Sequence, residues 1–214
     1  MNDISTPDAA GFDADYASEQ MRRSRHPLRR AIKGFYLRSV LSLVKGPTID
    51  YGCGAGQLLA LLPPRSVGLE VNPHLIAAHQ RAGLAVRQWQ ANDEGFDLPG
   101  IEAGRFNSLV ISHVLEHLPD PTASFTRLLH ASRRIGVERV IAIVPGAKGY
   151  ASDATHRTFI DSKFVSSKGW DQLAGYDLSR RRYFPVPWEG GGSIYIYNEM
   201  QLAFDLAPSA GGQG

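Results

Sequence analysis

Three groups of residues in this 214-residue chain have types and spacings that can do chemistry. The first is Asp50-Tyr51-Gly52-Cys53-Gly54-Ala55-Gly56, a glycine-rich run that follows an apolar stretch. Glycines at the carboxyl end of a strand let a ligand approach the backbone. Glu70 ends the next apolar stretch, where a carboxylate can accept hydrogen bonds from both hydroxyls of a ribose. The G-x-G-x-G spacing departs from the G-x-G-x-x-G of a pyrophosphate cradle, and an acid precedes it. Asp50 would repel a diphosphate and attract a cationic amino group, so the loop points to a ligand with a positive amino-acid portion. The second group, His113-Val114-Leu115-Glu116-His117, matches the H-x-x-E-H of an inverted zinc peptidase. That chemistry needs both histidines on one helix face. Here the motif starts at the end of an apolar strand and meets Pro119 and Pro121, so the helical context fails. The third is His156, within a polar segment, 145–161, that should face a substrate. A neutral imidazole there suits a substrate-contacting base; holding the loop in place is the alternative.

These residues need a framework, and the hydrophobic pattern supplies one. From residue 47 the chain alternates strand and helix signals. "PTIDYG", "SVGLEV", "AVRQWQ", "SLVISHV" and "RVIAIVP" read as strands; "QLLALLP", "PHLIAAHQRAG" and "TASFTRLLHASRRIG" read as helices. Asn72-Pro73 and Asp120-Pro121 are helix starts, Gly83 and Gly136 helix ends. This alternation is that of a parallel sheet covered by helices on both faces. Further on, a helix is expected near 161–174, then strands in "LSRRRYFPV" and "SIYIYNEMQLAFDL". Ahead of the sheet, residues 22–45 hold eight bases and no acid, whereas residues 1–19 hold five acids and no base. Pro27 opens a helix whose apolar stripe is Leu28, Ile32, Phe35, Tyr36, Val40, Leu43 and Val44, with Arg29, Arg30, Lys33 and Arg38 pointing elsewhere. Those bases make a solvated face or attract an acidic substrate.

Composition narrows the class. A formal charge of +2 gives no global attraction to nucleic acid or anionic membrane. One cysteine excludes an intramolecular disulfide and any Cys-based zinc cluster. No apolar run approaches the ~18 residues of a membrane span, and the N-terminus carries acids where a secretory signal carries bases. A cytoplasmic protein is expected, with a flexible acidic arm over 1–20, one domain over 21–206 and a disordered tail over 207–214.

"TIDYGCGAGQLLALLP", "VGLEVNPHLI" and "SLVISHVLEHLPDP" together resemble the class I S-adenosylmethionine-dependent methyltransferases, especially small-molecule enzymes with an "LEHLPDP"-type fourth motif. The resemblance runs in detail from about residue 47 to 147. It implies a Rossmann-like, doubly wound, mostly parallel seven-stranded sheet whose last strand is antiparallel. It implies that Asp50, Gly52, Cys53 and Gly54 line the methionine portion of S-adenosylmethionine, and that Glu70 and Val71 lie along its ribose. Asn92 or Asp93 would lie near the adenine, and His113 would face the sulfonium and the acceptor. Asn107 stands where the family usually has an acid of structural use. Cys53 is expected to pack, not to react. Tyr16 would belong to a lid over the cofactor. Some relatives bind a divalent ion through E-x-x-E-H at this place; here His113 replaces the first Glu, and no metal ligand is assigned.

Methyl transfer from a sulfonium needs alignment and exclusion of water, and a base only for poorly acidic nucleophiles. His113 and His156 are the catalytic candidates. The expected reaction is methylation of an oxygen or nitrogen of a small molecule or saccharide. The alternatives are RNA methylation with a metal-assisted 2′-hydroxyl and a cofactor-binding scaffold without catalysis. Trp188, Tyr195 and Tyr197 would form a stacking wall over the acceptor, or else core or homodimer contacts.

Overall fold

The computed structural model describes residues 27–90 and 92–208, with the side chains of 27–33 and 93 left aside. Helix α1 (Pro27–Leu41) leads into the parallel strands β1 (Thr48–Tyr51), β2 (Val67–Glu70) and β3 (Val86–Gln88), with α2 (Pro73–Arg81) between the last two. Then come β4 (Ser108–Ser112), α3 (Pro121–Arg134), β5 (Arg139–Pro145), α4 (Ala147–Ala151), α5 (Ser162–Ser167), β6 (Gln172–Leu173), β7 (Tyr176–Phe184) and β8 (Glu199–Leu206). The sheet order is β3-β2-β1-β4-β5-β8-β7-β6. The first five strands run parallel; β8 is antiparallel to β5 along its length, from Arg139↔Asp205 to Pro145↔Glu199. The fold is the expected Rossmann-like one with an antiparallel last strand, but the sheet has eight strands among the described residues, not seven. The extra one is the two-residue β6, paired with the start of β7 across a turn at Ala174-Gly175.

The two faces bury unequal cores. One is covered by α1, whose Leu37 and Val40, with Leu43 just beyond its end, pack on Val110, Ile141 and Ile143. The other holds the larger core, where Phe125, Leu128 and Leu129 of α3 meet Trp170, Tyr176 and Phe204. On α1 the expected stripe holds at Tyr36, Val40 and Leu43 but not at Phe35. Leu37 is buried at 7%, whereas Phe35 is 67% exposed. A residue one position off the stripe turns about 100° round a helix, which puts Phe35 outside it. Tyr36 stays half-buried and points to the sheet edge.

Local signals set the helix ends well. Asn72 Oδ1 accepts from the His74 and Leu75 amides, and Asp120 Oδ1 from that of Ala123, each followed by proline at the first helical position. Asn107, at the start of β4, bonds Glu138 through its side chain, a structural role. Other expectations fail for stated reasons. "QLLALLP" forms a single 3₁₀ turn, Leu59–Leu61, because Pro63 forces Leu62 into an extended conformation with ψ 156°. The helix expected near 161–174 stops at Ser167; Gly169 turns the chain at φ 68° so that Trp170 can enter the core. The strand expected over 193–206 begins only at Glu199, because Glu189–Ser193 form a 3₁₀ turn seated against Gly146. No helix among the described residues is long and apolar enough to cross a membrane. The acidic arm, Tyr16 and positions 209–214 of the tail lie outside the described residues.

Candidate active site

Strand β1 carries Asp50, 3% exposed, to the carboxyl edge of the sheet. Beyond it the chain turns through Gly52, Gly54 and Gly56 at φ 71°, 50° and 69°. The Gly52 and Cys53 amides both donate to the Leu69 carbonyl, tying this loop to β2. Two of the glycines are required by close neighbours as well as by φ. A Cβ on Gly52 would stand 2.9 Å from Val114, and one on Gly56 would stand 2.7 Å from the His79 ring. Buried His79 reaches back from α2, its Nε2–H donating to the Gly54 carbonyl at 2.7 Å. Glu70 is equally buried. Its Oε1 accepts from the Val71 and Asn72 amides, and its Oε2 from the Gly54 amide at 2.7 Å. Two donors fill Oε1, so Oε2 is the oxygen with room for a further donor. Burial, then the charges of Asp50 and Glu70, pushes the Cys53 thiol up, and its sulfur packs over Gly68. Cys53 is therefore a packing residue. Asn92 is spent on structure: its Oδ1 caps the turn Asp93–Asp97 by accepting from Gly95, and its Nδ2 donates to Gln90. The Asp93 side chain lies outside the described set.

The end of β4 is built differently. His113 takes a left-handed φ of 55°, which aims its ring between two carboxylates. Nδ1 lies 3.2 Å from Glu116 Oε1 and Nε2 2.9 Å from Glu199 Oε1. Carboxylate oxygens only accept, so both ring nitrogens carry hydrogen and the ring is an imidazolium. Burial works against that charge, but Glu199 and Glu116 outweigh it and lift the His113 pKa to about 10. At neutral pH His113 is thus a cation joining two carboxylates, not a base. Glu116 is fully buried. Its Oε2 and that of Glu199 are shielded from solvent and have no hydrogen-bond partner among the described residues. Tyr36 leans in from α1, its hydroxyl 3.0 Å from Ser112 Oγ and its ring 6.5 Å from that of His113. Burial first, then the Glu199 charge, raises the Tyr36 phenol well above its ordinary range.

His156 sits behind this group. Its side chain is 8% exposed, and its Nε2 lies 3.9 Å from Glu116 Oε1. Nδ1–H donates to the Tyr150 carbonyl, and the ring stacks on Tyr150 and meets His117 at 4.6 Å. His117 Nδ1 is engaged by Thr155 Oγ1, whose own hydrogen goes to Asp153. Both histidines therefore present Nε2 towards the Glu116 carboxylate, whose Oε1 is 3.9 Å from that of His156. The ligand atoms of Glu116, His117 and His156 lie within 4.8 Å of one another, a set that could hold a cation.

Residues 16–136 match the family described as a methyltransferase domain, which is more than half of the chain. The chain belongs to that family. Among curated proteins, it is 30% identical over 93 residues to a ubiquinone biosynthesis O-methyltransferase of Xanthomonas oryzae pv. oryzae, covering 41% of this chain and 39% of that protein. The chain thus matches well under half the length of that relative. Among solved structures, an S-adenosylmethionine-dependent methyltransferase from Archaeoglobus fulgidus aligns with a TM-score of 0.62 at 16% identity, over 90% of this chain and 100% of the other. Magnesium protoporphyrin IX methyltransferase from Synechocystis, bound to S-adenosylhomocysteine, aligns with a TM-score of 0.64 at 13% identity, over 92% and 97%. At these identities the likeness is one of fold.

In this methyltransferase domain the structure gathers Asp50, Gly52, Gly54, Glu70 and His113 on one sheet edge. His156 is not beside them; it joins them only through Glu116. Sequence reasoning missed Tyr36, which it counted as packing, and both His79 and Glu199. A histidine about two turns into an amphipathic helix and an acid opening a strand carry no local signal of their partners. The aromatic wall is not core: Trp188 and Tyr197 are 56% and 47% exposed, and Tyr195 and Tyr197 meet edge to face at 5.6 Å. A cavity of about 140 Å³ opens beside β5 and β8, among Phe159, Asp161, Tyr183, Glu189 and Met200, and shares no lining residue with the Asp50–Glu70–His113 group.

Proposed function

We propose that the chain transfers the methyl group of S-adenosylmethionine to an oxygen or nitrogen of a small molecule or saccharide. The observation that carries this reading is the pair of buried carboxylates, Asp50 and Glu70, flanking a left-handed glycine loop at the ends of adjacent strands. The pair suits a ligand with an ammonium at one end and a ribose further along. In the reaction the acceptor's lone pair attacks the methyl carbon, the C–S electron pair stays on sulfur, and the acceptor's proton departs. The protein's part is alignment and exclusion of water. The O-methyltransferase relative and the cofactor-bound Synechocystis neighbour support this reading. Substituting Asp50→Ala should weaken S-adenosylhomocysteine binding about 100-fold in calorimetry, as expected for losing one partner of a buried ion pair. Unchanged affinity would overturn the assignment of the loop.

A second reading concerns the acceptor. Glu116, His117 and His156 would hold a divalent cation, which when bound would polarise an acceptor hydroxyl. The engaged Nδ1 atoms and a Glu116 oxygen with no hydrogen-bond partner among the described residues favour it. Metal analysis of the purified protein would decide: substoichiometric metal and turnover indifferent to a chelator would remove this reading.

A further inference from the structure

Glu199 opens β8, and the register Pro145↔Glu199 carries it to the carboxyl end of β5, the edge that also holds Asp50 and His113. One of its oxygens is fixed by His113 at 2.9 Å. The other, Oε2, is shielded from solvent and makes no hydrogen bond of good geometry among the described residues, the Tyr36 hydroxyl being the donor that the carboxylate meets besides His113. A desolvated carboxylate oxygen without such a bond is rare in folded proteins, because it loses its water and gains little in return. Glu116 Oε2, on the far side of the same imidazolium, is in the same condition and fully buried. Two carboxylates against one imidazolium leave this recess with a net negative charge. Among the described residues, the only ion-pair partner of Glu199 is His113. The Tyr36 hydroxyl feels both Glu199 and Asp50, so the recess adjoins the end of the site that takes the cofactor's amino-acid portion.

We propose that Glu199 is the acceptor-recognition residue of this site, and that the acceptor is an amine that docks as its ammonium ion on Glu199 Oε2. The inference rests on the reading that S-adenosylmethionine lies along Asp50 and Glu70. A protonated amine brings Glu199 Oε2 a charged donor and balances the second of the two carboxylates that share His113. One proton passes from the ammonium to Glu199, freeing the nitrogen lone pair. That pair then forms the bond to the methyl carbon, and the C–S electron pair stays on sulfur. Carboxylate and phosphate groups are excluded from the same position by like charge.

Sinefungin, which carries an amine where the cofactor carries its transferable methyl, is the probe. Calorimetry on the full chain at pH 7 should show it binding at least about tenfold tighter than S-adenosylhomocysteine, the size of a charge-assisted hydrogen bond. In Glu199→Gln that preference should fall to about one, with S-adenosylhomocysteine affinity held within about threefold. Equal affinities in the unsubstituted protein, or a preference that survives Glu199→Gln, would overturn the proposal. The unsubstituted protein alone suffices for the first of these, should the variant misfold. Failure of both ligands to bind would instead bring down the cofactor reading beneath it.

Discussion

The two halves of this sheet edge use their carboxylates in opposite ways. Beside β2, Glu70 is turned on the backbone, taking three amides, and the loop it holds runs through one short stretch of chain. Beside β4 and β8, Glu116 and Glu199 face an imidazolium, and each keeps a buried oxygen with no partner among the described residues. The first half is a shape set by main-chain geometry, so it tolerates few residues at its turns. The second is an electrostatic recess made by side chains from separate segments, so single substitutions can alter what it recognises. On the proposed function, one half would hold a fixed ligand and the other would select a variable one.

Breaking the first half should have the largest effect. Gly56→Ala places a Cβ in a left-handed backbone and 2.7 Å from His79. The combined strain, about 3 kcal/mol, should weaken S-adenosylhomocysteine binding ~100-fold in calorimetry. Near-normal affinity would mean that the loop is not a fixed shape. Next comes Glu116→Ala, which strips a fully buried partner from His113. Loss of about 2–3 kcal/mol in urea unfolding is expected, with cofactor affinity within about threefold. A large affinity loss without destabilisation would erase the distinction between the halves. His79→Ala removes the donor to the Gly54 carbonyl, and affinity should fall about tenfold. His79→Gln should restore most of it by presenting an N–H, an outcome that a merely space-filling role would not produce.

The smallest effect belongs to the opposite end of the sheet. Arg139 grips Asp205 through two 2.8 Å bonds and Lys45 adds a third contact. Burial pushes the Asp205 carboxyl up, but the hydrogen bonds from Arg139, Ser179 and Lys45, with the Arg139 charge, hold it well below the ordinary range. A depressed folded pKa contributes stability above the unfolded carboxyl's value of about 4, and that stability is lost as pH falls below it. Asp205→Asn should cost about 1 kcal/mol at pH 7 and progressively less towards acid, read as unfolding midpoints against pH. Cofactor affinity should not change.

Much of the frame was legible because its causes are local. Asn72-Pro73 and Asp120-Pro121 cap helices with their own neighbours, and the run from Asp50 to Gly56 needs only a strand before it. The same reasoning failed where a local pattern met a constraint from elsewhere. Apolar "QLLALLP" has helical spacing, yet Pro63 leaves room for one turn. Alternating "SIYIYNEM" suggests a strand, yet its part ahead of Glu199 is held as a loop, Ile196 against Gly149 and Asn198 against Gly146. Phe35 belongs to an apolar stripe by spacing and is exposed, because the sheet meets α1 through Leu37 and Val40.

By itself the sequence determined the alternating α/β class, the glycine loop with its two acids, and the family to which they belong. Each depends on residues within one turn or one strand–loop unit. Only the tertiary structure decided which groups face them. Tyr36 meets Ser112 across 76 positions, His113 meets Glu199 across 86, and His79 meets Gly54 across 25. Such pairs follow from strand order and register, and above all from β8 entering antiparallel beside β5, which turns an ordinary strand-opening glutamate into a wall of the site.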